Sequence, residues 1–239
     1  MTATRTLNYS DAGLEFKGYL AAPDELSGSV PGVLVCHAWG GQKELEREYA
    51  ERLAGLGYVG LAVDMYGGGR TGDSYEENAE LMNAVLSDRG VLRARIQAAH
   101  EALAGLDEVD ASRTGCLGFC FGGLTALDLA RSGAGVQGVI SFHGALAAPE
   151  DMRCVKNPEA RFLVLHGDAD PMVSGEDVSA LQQELRDAGA DWQINIYGNA
   201  MHSFTNPESQ APDMGLQYDK ATAERSWRAA RDFFAELFG

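Results

Sequence analysis

Six short apolar runs, most of them giving way to a stretch with helical spacing, constrain this chain more than any other feature of its sequence. They are GVLVCHA (32–38), YVGLAVDMY (58–66), TGCLGF (114–119), VQGVISFHG (136–144), ARFLVLHG (160–167) and DWQINIY (191–197). GVLVCHA has no polar alternation, which reads as a strand buried on both faces. Between the runs, Leu45, Tyr49, Leu53 and Leu56 share one helical face, and so do Leu92, Ile96, Ala99 and Leu103. Residues 75–87 and FGGLTALDLARS (121–132) also read as helices. Ser174 and Asp177 make a capped start for a helix carrying Val178, Leu181 and Leu185, and Trp227, Ala230, Phe234 and Leu237 line the last one. Upstream, RTLNY and LEFKGYLAAP, split by Asp11-Ala12-Gly13, predict a β-hairpin. Repeated strand-then-helix units demand a mostly parallel, twisted sheet with helices on both faces, here entered through an antiparallel hairpin. The expectation is a three-layer αβα sandwich forming one α/β domain over residues 1–239.

A formal net charge of −16 argues against nucleic acid or an anionic membrane surface, both of which require clustered cations. A small-molecule substrate fits better. The N-terminal stretch has no apolar core of the signal-peptide kind, and no apolar run approaches the length of a membrane span. The expectation is a soluble cytoplasmic protein, a monomer or small homo-oligomer. Cys36, Cys116, Cys120 and Cys154 are too few for a disulfide scaffold and are expected as free thiols. Cys116 and Cys120, if both lie along one strand, stand ~13 Å apart, too far to bridge.

Gly118-Phe119-Cys120-Phe121-Gly122 sits where a strand runs into a helix and has the spacing of G-x-S-x-G with cysteine for serine. Such a corner needs glycine two residues either side, and the helix start just beyond it favours a thiolate. A thiol nucleophile also needs a base and a carboxylate to orient that base. Both follow in the expected order, Asp170 after FLVLHG and His202 after QINIY. Asp168 reads as a turn residue. His37, His143 and His166 also fall at strand ends, yet no paired spacing supports a metal site, and neither metal nor cofactor is expected.

GFCFGG, HGDADPMV, YGNAMHSFTNP and AERLAGLGYVGLAVDMYG together resemble the dienelactone hydrolase family of the α/β-hydrolase fold, across essentially the whole chain. The resemblance implies Cys120 as nucleophile, His202 as general base and then acid, and Asp170 as orienting carboxylate. It also implies an oxyanion hole made by the backbone N–H groups of Phe121 and Trp39. Two departures accompany it. The family's glutamate after the third strand is Ala38 here, with Glu44 as a candidate substitute, and a family arginine beyond the catalytic histidine is Asn206. Arg70 lies in a loop that could face the site. His143, Met172 and Phe204 are candidate substrate contacts, and residues 67–90 could cover the mouth. The expected activity is hydrolysis of a small carboxylic ester or lactone through a thioester acyl-enzyme. The alternative from another class is a small-ligand binder or reactive-thiol sensor without turnover.

Overall fold

The computed structural model describes residues 2–149, 156–157 and 159–239, so that Cys154 lies outside the described residues. β1 (Thr2–Asp11) and β2 (Leu14–Pro23) form the expected hairpin, turning through Ala12 and Gly13, both at positive φ. β2 pairs antiparallel with β4 (Val59–Ala62), which runs parallel to β3 (Val30–Cys36). β5 (Val109–Phe119), β6 (Gly138–Phe142), β7 (Arg161–Gly167) and β8 (Trp192–Tyr197) continue the parallel part. The resulting eight-stranded order is β1-β2-β4-β3-β5-β6-β7-β8.

Side chains along the central strands alternate between two apolar layers, as the two-residue period of a strand requires. Leu34 and Cys36 of β3 face one layer and Val33 and Val35 the other; Phe162 and Val164 of β7 alternate likewise with Leu163 and Leu165. The first layer takes up α2 (Tyr75–Leu86), α3 (Arg89–Ala104), α4 (Phe121–Arg131) and α5 (Gly175–Ala188). The second takes up α1 (Glu44–Gly55) and α6 (Lys220–Phe238). In that second layer Tyr49 packs edge-on against Phe119, at 4.7 Å between ring centroids, and against Trp227 at 5.1 Å. Each such ring adds about 1.5–3 kcal/mol by leaving water, and Phe119 is the residue on which the corner at 120 rests.

Three elements depart from expectation. β4 stops at Ala62 rather than Tyr66, because the Asp64 carboxylate accepts the amides of Tyr66 (2.9 Å), Gly67 (2.8 Å) and Gly69 (2.7 Å) and winds the chain into a loop. A buried carboxylate offering several acceptors outcompetes the ladder for those donors. β5 begins at Val109, five residues before TGCLGF, with its register against β3 shifted between Val30 and Gly32. β8 is not the last strand: β9 (Gln210–Ala211) and β10 (Leu216–Gln217) form a separate antiparallel pair, and His202 bridges to Leu216.

A buried ionic cluster ties three helices together. Arg89 donates to both oxygens of Asp128 at 2.7 Å, while Arg131 reaches Asp128 at 3.2 Å and Glu184 at 2.8 and 2.7 Å. Asp128 on α4 therefore neutralises guanidinium groups from α3 and α4 that have left water. Removing one member of a buried pair leaves the other charge uncompensated, at a cost of about 3–5 kcal/mol. Asp128→Ala should lower the urea unfolding midpoint by an amount equivalent to that loss; an unchanged midpoint would contradict the role given to the cluster.

Candidate active site

At Cys120, between β5 and α4, φ is +54° and ψ is −114°, a conformation that non-glycine residues seldom adopt. Such a residue costs about 1–3 kcal/mol and persists only when its surroundings fix it. Here the Cys120 N–H donates to the Phe142 carbonyl (3.1 Å), and its own carbonyl accepts from Gly123 (3.0 Å) and Leu124 (3.3 Å). The glycines are obligatory. A Cβ on Gly118 would lie 2.0 Å from the Gly122 carbonyl oxygen, and one on Gly122 would lie 2.2 Å from that of Cys36. Gly123 belongs to the same set, since its Cβ would meet the Ser141 hydroxyl at 2.6 Å. The tight turn leaves the Cys120 side chain only half-buried, unlike the sealed Cys36 and Cys116.

His202 arrives from the loop after β8. Its backbone is held by bonds from its own N–H to Gly215 O (2.9 Å) and from Gln217 N–H to its carbonyl (3.1 Å), so the small β9–β10 pair fixes the loop. Its ring Nδ1 bonds Asp170 Oδ2 at 2.8 Å, and the other Asp170 oxygen accepts the Met172 amide at 2.8 Å. Both residues are buried. The imidazole pKa is pushed up to about 10: burial is the largest single influence and opposes its charge, but the neighbouring Cys120 sulfur and the Asp170 carboxylate together outweigh it. Among the described residues, Nε2 has no hydrogen-bond partner, and the Cys120 sulfur is its close neighbour. The structure thus brings Cys120, His202 and Asp170 together.

The loop after β3 is fixed almost atom by atom. The Ala38 N–H donates to Glu46 Oε1 (3.2 Å), and the Ala38 carbonyl bonds His37 Nδ1 (2.6 Å). His37 Nε2 accepts the Met65 amide (3.2 Å), so Nδ1 carries the proton, and burial lowers the ring pKa to about 4. The Trp39 carbonyl accepts the Tyr66 hydroxyl (2.7 Å). Among the described residues, nothing accepts the N–H of Trp39 or of Phe121. Phe121 opens α4, where an amide has no partner within its own helix. His37 lies 5.9 Å from the Phe121 ring, which places this loop beside the corner.

The remaining candidates fall into different environments. His143, at φ +38°, is buried with Nε2 on the Thr205 hydroxyl (2.7 Å), and its ring meets His202 edge-on at 5.2 Å. Burial and the neighbouring His202 lower its pKa, so it stays neutral beside the imidazolium. Phe204 has no exposed surface; it backs His143 at 4.9 Å and belongs to the core rather than to an open wall. Met172 is 52% exposed next to Asp170. Arg70 binds the carbonyls of Tyr66 and Gly67, and Asn206 caps its own turn by accepting the Glu208 amide. Glu44 is exposed, while Glu46 is the acid buried against the loop. Its carboxyl pKa is raised by burial, and its helix-start position gave no hint of that contact in the sequence. Among the described residues, no group of three or more His, Cys, Asp or Glu is placed to hold a metal ion, and no helix is long and apolar enough to cross a membrane.

A cysteine at a strained corner after β5, together with a histidine from beyond β8 that bonds an acid from beyond β7, matches the strand-end arrangement of an α/β-hydrolase fold. The model of the dienelactone hydrolase family matches residues 16–238, and the chain belongs to that family of ester and lactone hydrolases. A putative carboxymethylenebutenolidase of Yersinia pestis is 29% identical over 236 residues, covering 94% of this chain and 85% of that protein. Among solved structures, one called m3DLH is 42% identical with a TM-score of 0.93, covering 100% of this chain and 99% of that one. A dienelactone hydrolase-like promiscuous phosphotriesterase from metagenomic libraries is 37% identical with a TM-score of 0.94, at the same coverage.

The raised His202 pKa has a definite sign. Folding favours the protonated ring, so its stabilisation is complete below about 6.5, the value for an unfolded histidine, and is lost as pH rises through about 10. Cys120→Ala removes the strongest influence raising that pKa. Imidazole titration by NMR should therefore find the His202 midpoint well below that of the wild type, and equal midpoints in the two proteins would contradict the pairing.

Proposed function

We propose that this protein hydrolyses small, uncharged carboxylic esters or lactones by acyl transfer through Cys120, His202 and Asp170. The observation that carries the reading is the half-buried sulfur on its strained corner, facing an imidazole whose far nitrogen is bonded to a buried carboxylate at 2.8 Å. The Cys120 thiolate attacks the carbonyl carbon, and the carbonyl oxygen takes the electron pair. That oxygen meets the free amides of Trp39 and Phe121, donors set in place before charge develops. As the tetrahedral intermediate collapses, the C–O bond breaks, His202 protonates the leaving alkoxide, and a thioester on Cys120 remains. Water, deprotonated by His202, then attacks the thioester and restores the thiolate–imidazolium pair. Asp170 keeps the imidazole oriented throughout and does not itself take the proton.

Preference for an uncharged substrate rests on what surrounds the corner. Arg70 is spent on loop carbonyls and Lys43 on Gly72 O (2.6 Å), so neither is free to hold a carboxylate. Apolar groups stand instead around the site-bearing loops: Trp39 against a half-exposed Tyr75, and the exposed Met172 and Met214 beside the segments that carry Asp170 and His202. Short aryl esters test the reading. Cys120→Ala and His202→Ala should abolish turnover, and Asp170→Asn should lower kcat by about ten-thousandfold through loss of the correct tautomer. Rapid alkylation of Cys120 without ester turnover would favour a thiol sensor instead. The phosphotriesterase among the similar structures makes a neutral aryl phosphotriester the second electrophile to assay, expected to depend on the same residues.

A further inference from the structure

Glu46 is a buried acid that the proposed reaction does not use, on a helix whose amphipathic pattern does not call for one. As the third residue of α1 it sits where a glutamate often reaches back to the amide before the helix, and its Oε2 does accept the Lys43 N–H at 2.9 Å. That role needs only one oxygen and is usually filled at the surface. Here the carboxylate is 2% exposed and its second oxygen leaves the helix altogether, taking the Ala38 N–H at 3.2 Å. The Ala38 N–H belongs to the His37–Ala38 peptide, so this contact fixes the peptide group immediately before the one that carries the unclaimed Trp39 amide.

Resting on the hydrolase reading above, we infer that Glu46 is a positioning residue for the oxyanion hole: it clamps the Ala38 amide so that the Trp39 N–H points at the reacting carbonyl oxygen. The other backbone groups of the loop agree with a clamp. His37 Nδ1 holds the Ala38 carbonyl and the Tyr66 hydroxyl holds the Trp39 carbonyl, so with Glu46 three buried side chains restrain three consecutive peptide groups and leave the N–H of the middle one, that of Trp39, free. Such restraint costs nothing during the reaction, whereas a donor displaced by about 1 Å can cost about a hundredfold in rate. Glu46 does this from behind the loop, and nothing places it on the substrate or on the sulfur.

The clamp and the nucleophile can be separated experimentally. Glu46→Gln keeps the shape but turns one acceptor into a donor that faces a backbone N–H; Glu46→Met removes both acceptors. Tyr66→Phe removes only the hydroxyl on the Trp39 carbonyl, and it tests the same loop should the Glu46 variants not accumulate folded. Each is measured for kcat and KM on a neutral aryl acetate and for the rate of Cys120 alkylation by iodoacetamide, which needs the thiolate but no oxyanion hole. For Glu46→Gln, kcat should fall about tenfold, and for Glu46→Met about a hundredfold, with KM within about threefold and alkylation within about twofold of wild type. Tyr66→Phe should show the same split in milder form. Unchanged kcat in the Glu46 variants, or alkylation falling in step with kcat, would overturn the inference. A wild type that alkylates but turns over no ester would instead overturn the hydrolase reading beneath it.

Discussion

The structure depends above all on the backbone of one residue. Cys120 is held at φ +54° because β5 must become α4 without an intervening loop, and three glycines let the strand, the helix and the Cys36–His37 segment at the end of β3 approach within distances that no side chain would tolerate. The strain is borne by the sheet on either side: Phe142 O takes the Cys120 amide, and Phe119 is pinned by Tyr49 and Phe142 in the layer beneath. Everything chemical follows from that corner. It lifts the sulfur out of the apolar layers that bury Cys36 and Cys116, and it frees the Phe121 amide.

Electrostatics then select the partner. Four histidines lie close to strand ends, and three of them are kept neutral: burial depresses the pKa of His37, His143 and His166. His202 alone among them is driven the other way, because it faces the sulfur and the Asp170 carboxylate at once. A site with one imidazolium among neutral imidazoles avoids like-charge repulsion in a space where water cannot screen it.

Much of this was readable in the sequence because it depends on period and order. Apolar runs with turn residues between them identify the strands, and Cys120, Asp170 and His202 follow the ends of β5, β7 and β8 in the chain order expected of such a site. What escaped depends on side chains competing for backbone donors. The end of β4 at Ala62 is decided by the Asp64 carboxylate, which in one dimension is only an acid in an apolar run. The β9–β10 pair that steadies His202 is two residues per strand, too short to leave a pattern. Glu44 is the first-turn acid that the sequence singles out, and Glu46 two residues on has no feature to distinguish it; only packing tells that the first is in water and the second behind the loop. Phe204 follows a catalytic-type histidine and invites a pocket role, yet it is wholly buried.

Mass spectrometry of the protein quenched in acid during turnover of a short aryl ester tests the central claim most directly. The account predicts an added acyl mass on the peptide carrying Cys120, present in the wild type, accumulating when water attack is slowed, and absent in Cys120→Ala. Turnover with the acyl group found on another residue, or undiminished turnover in Cys120→Ala, would contradict it.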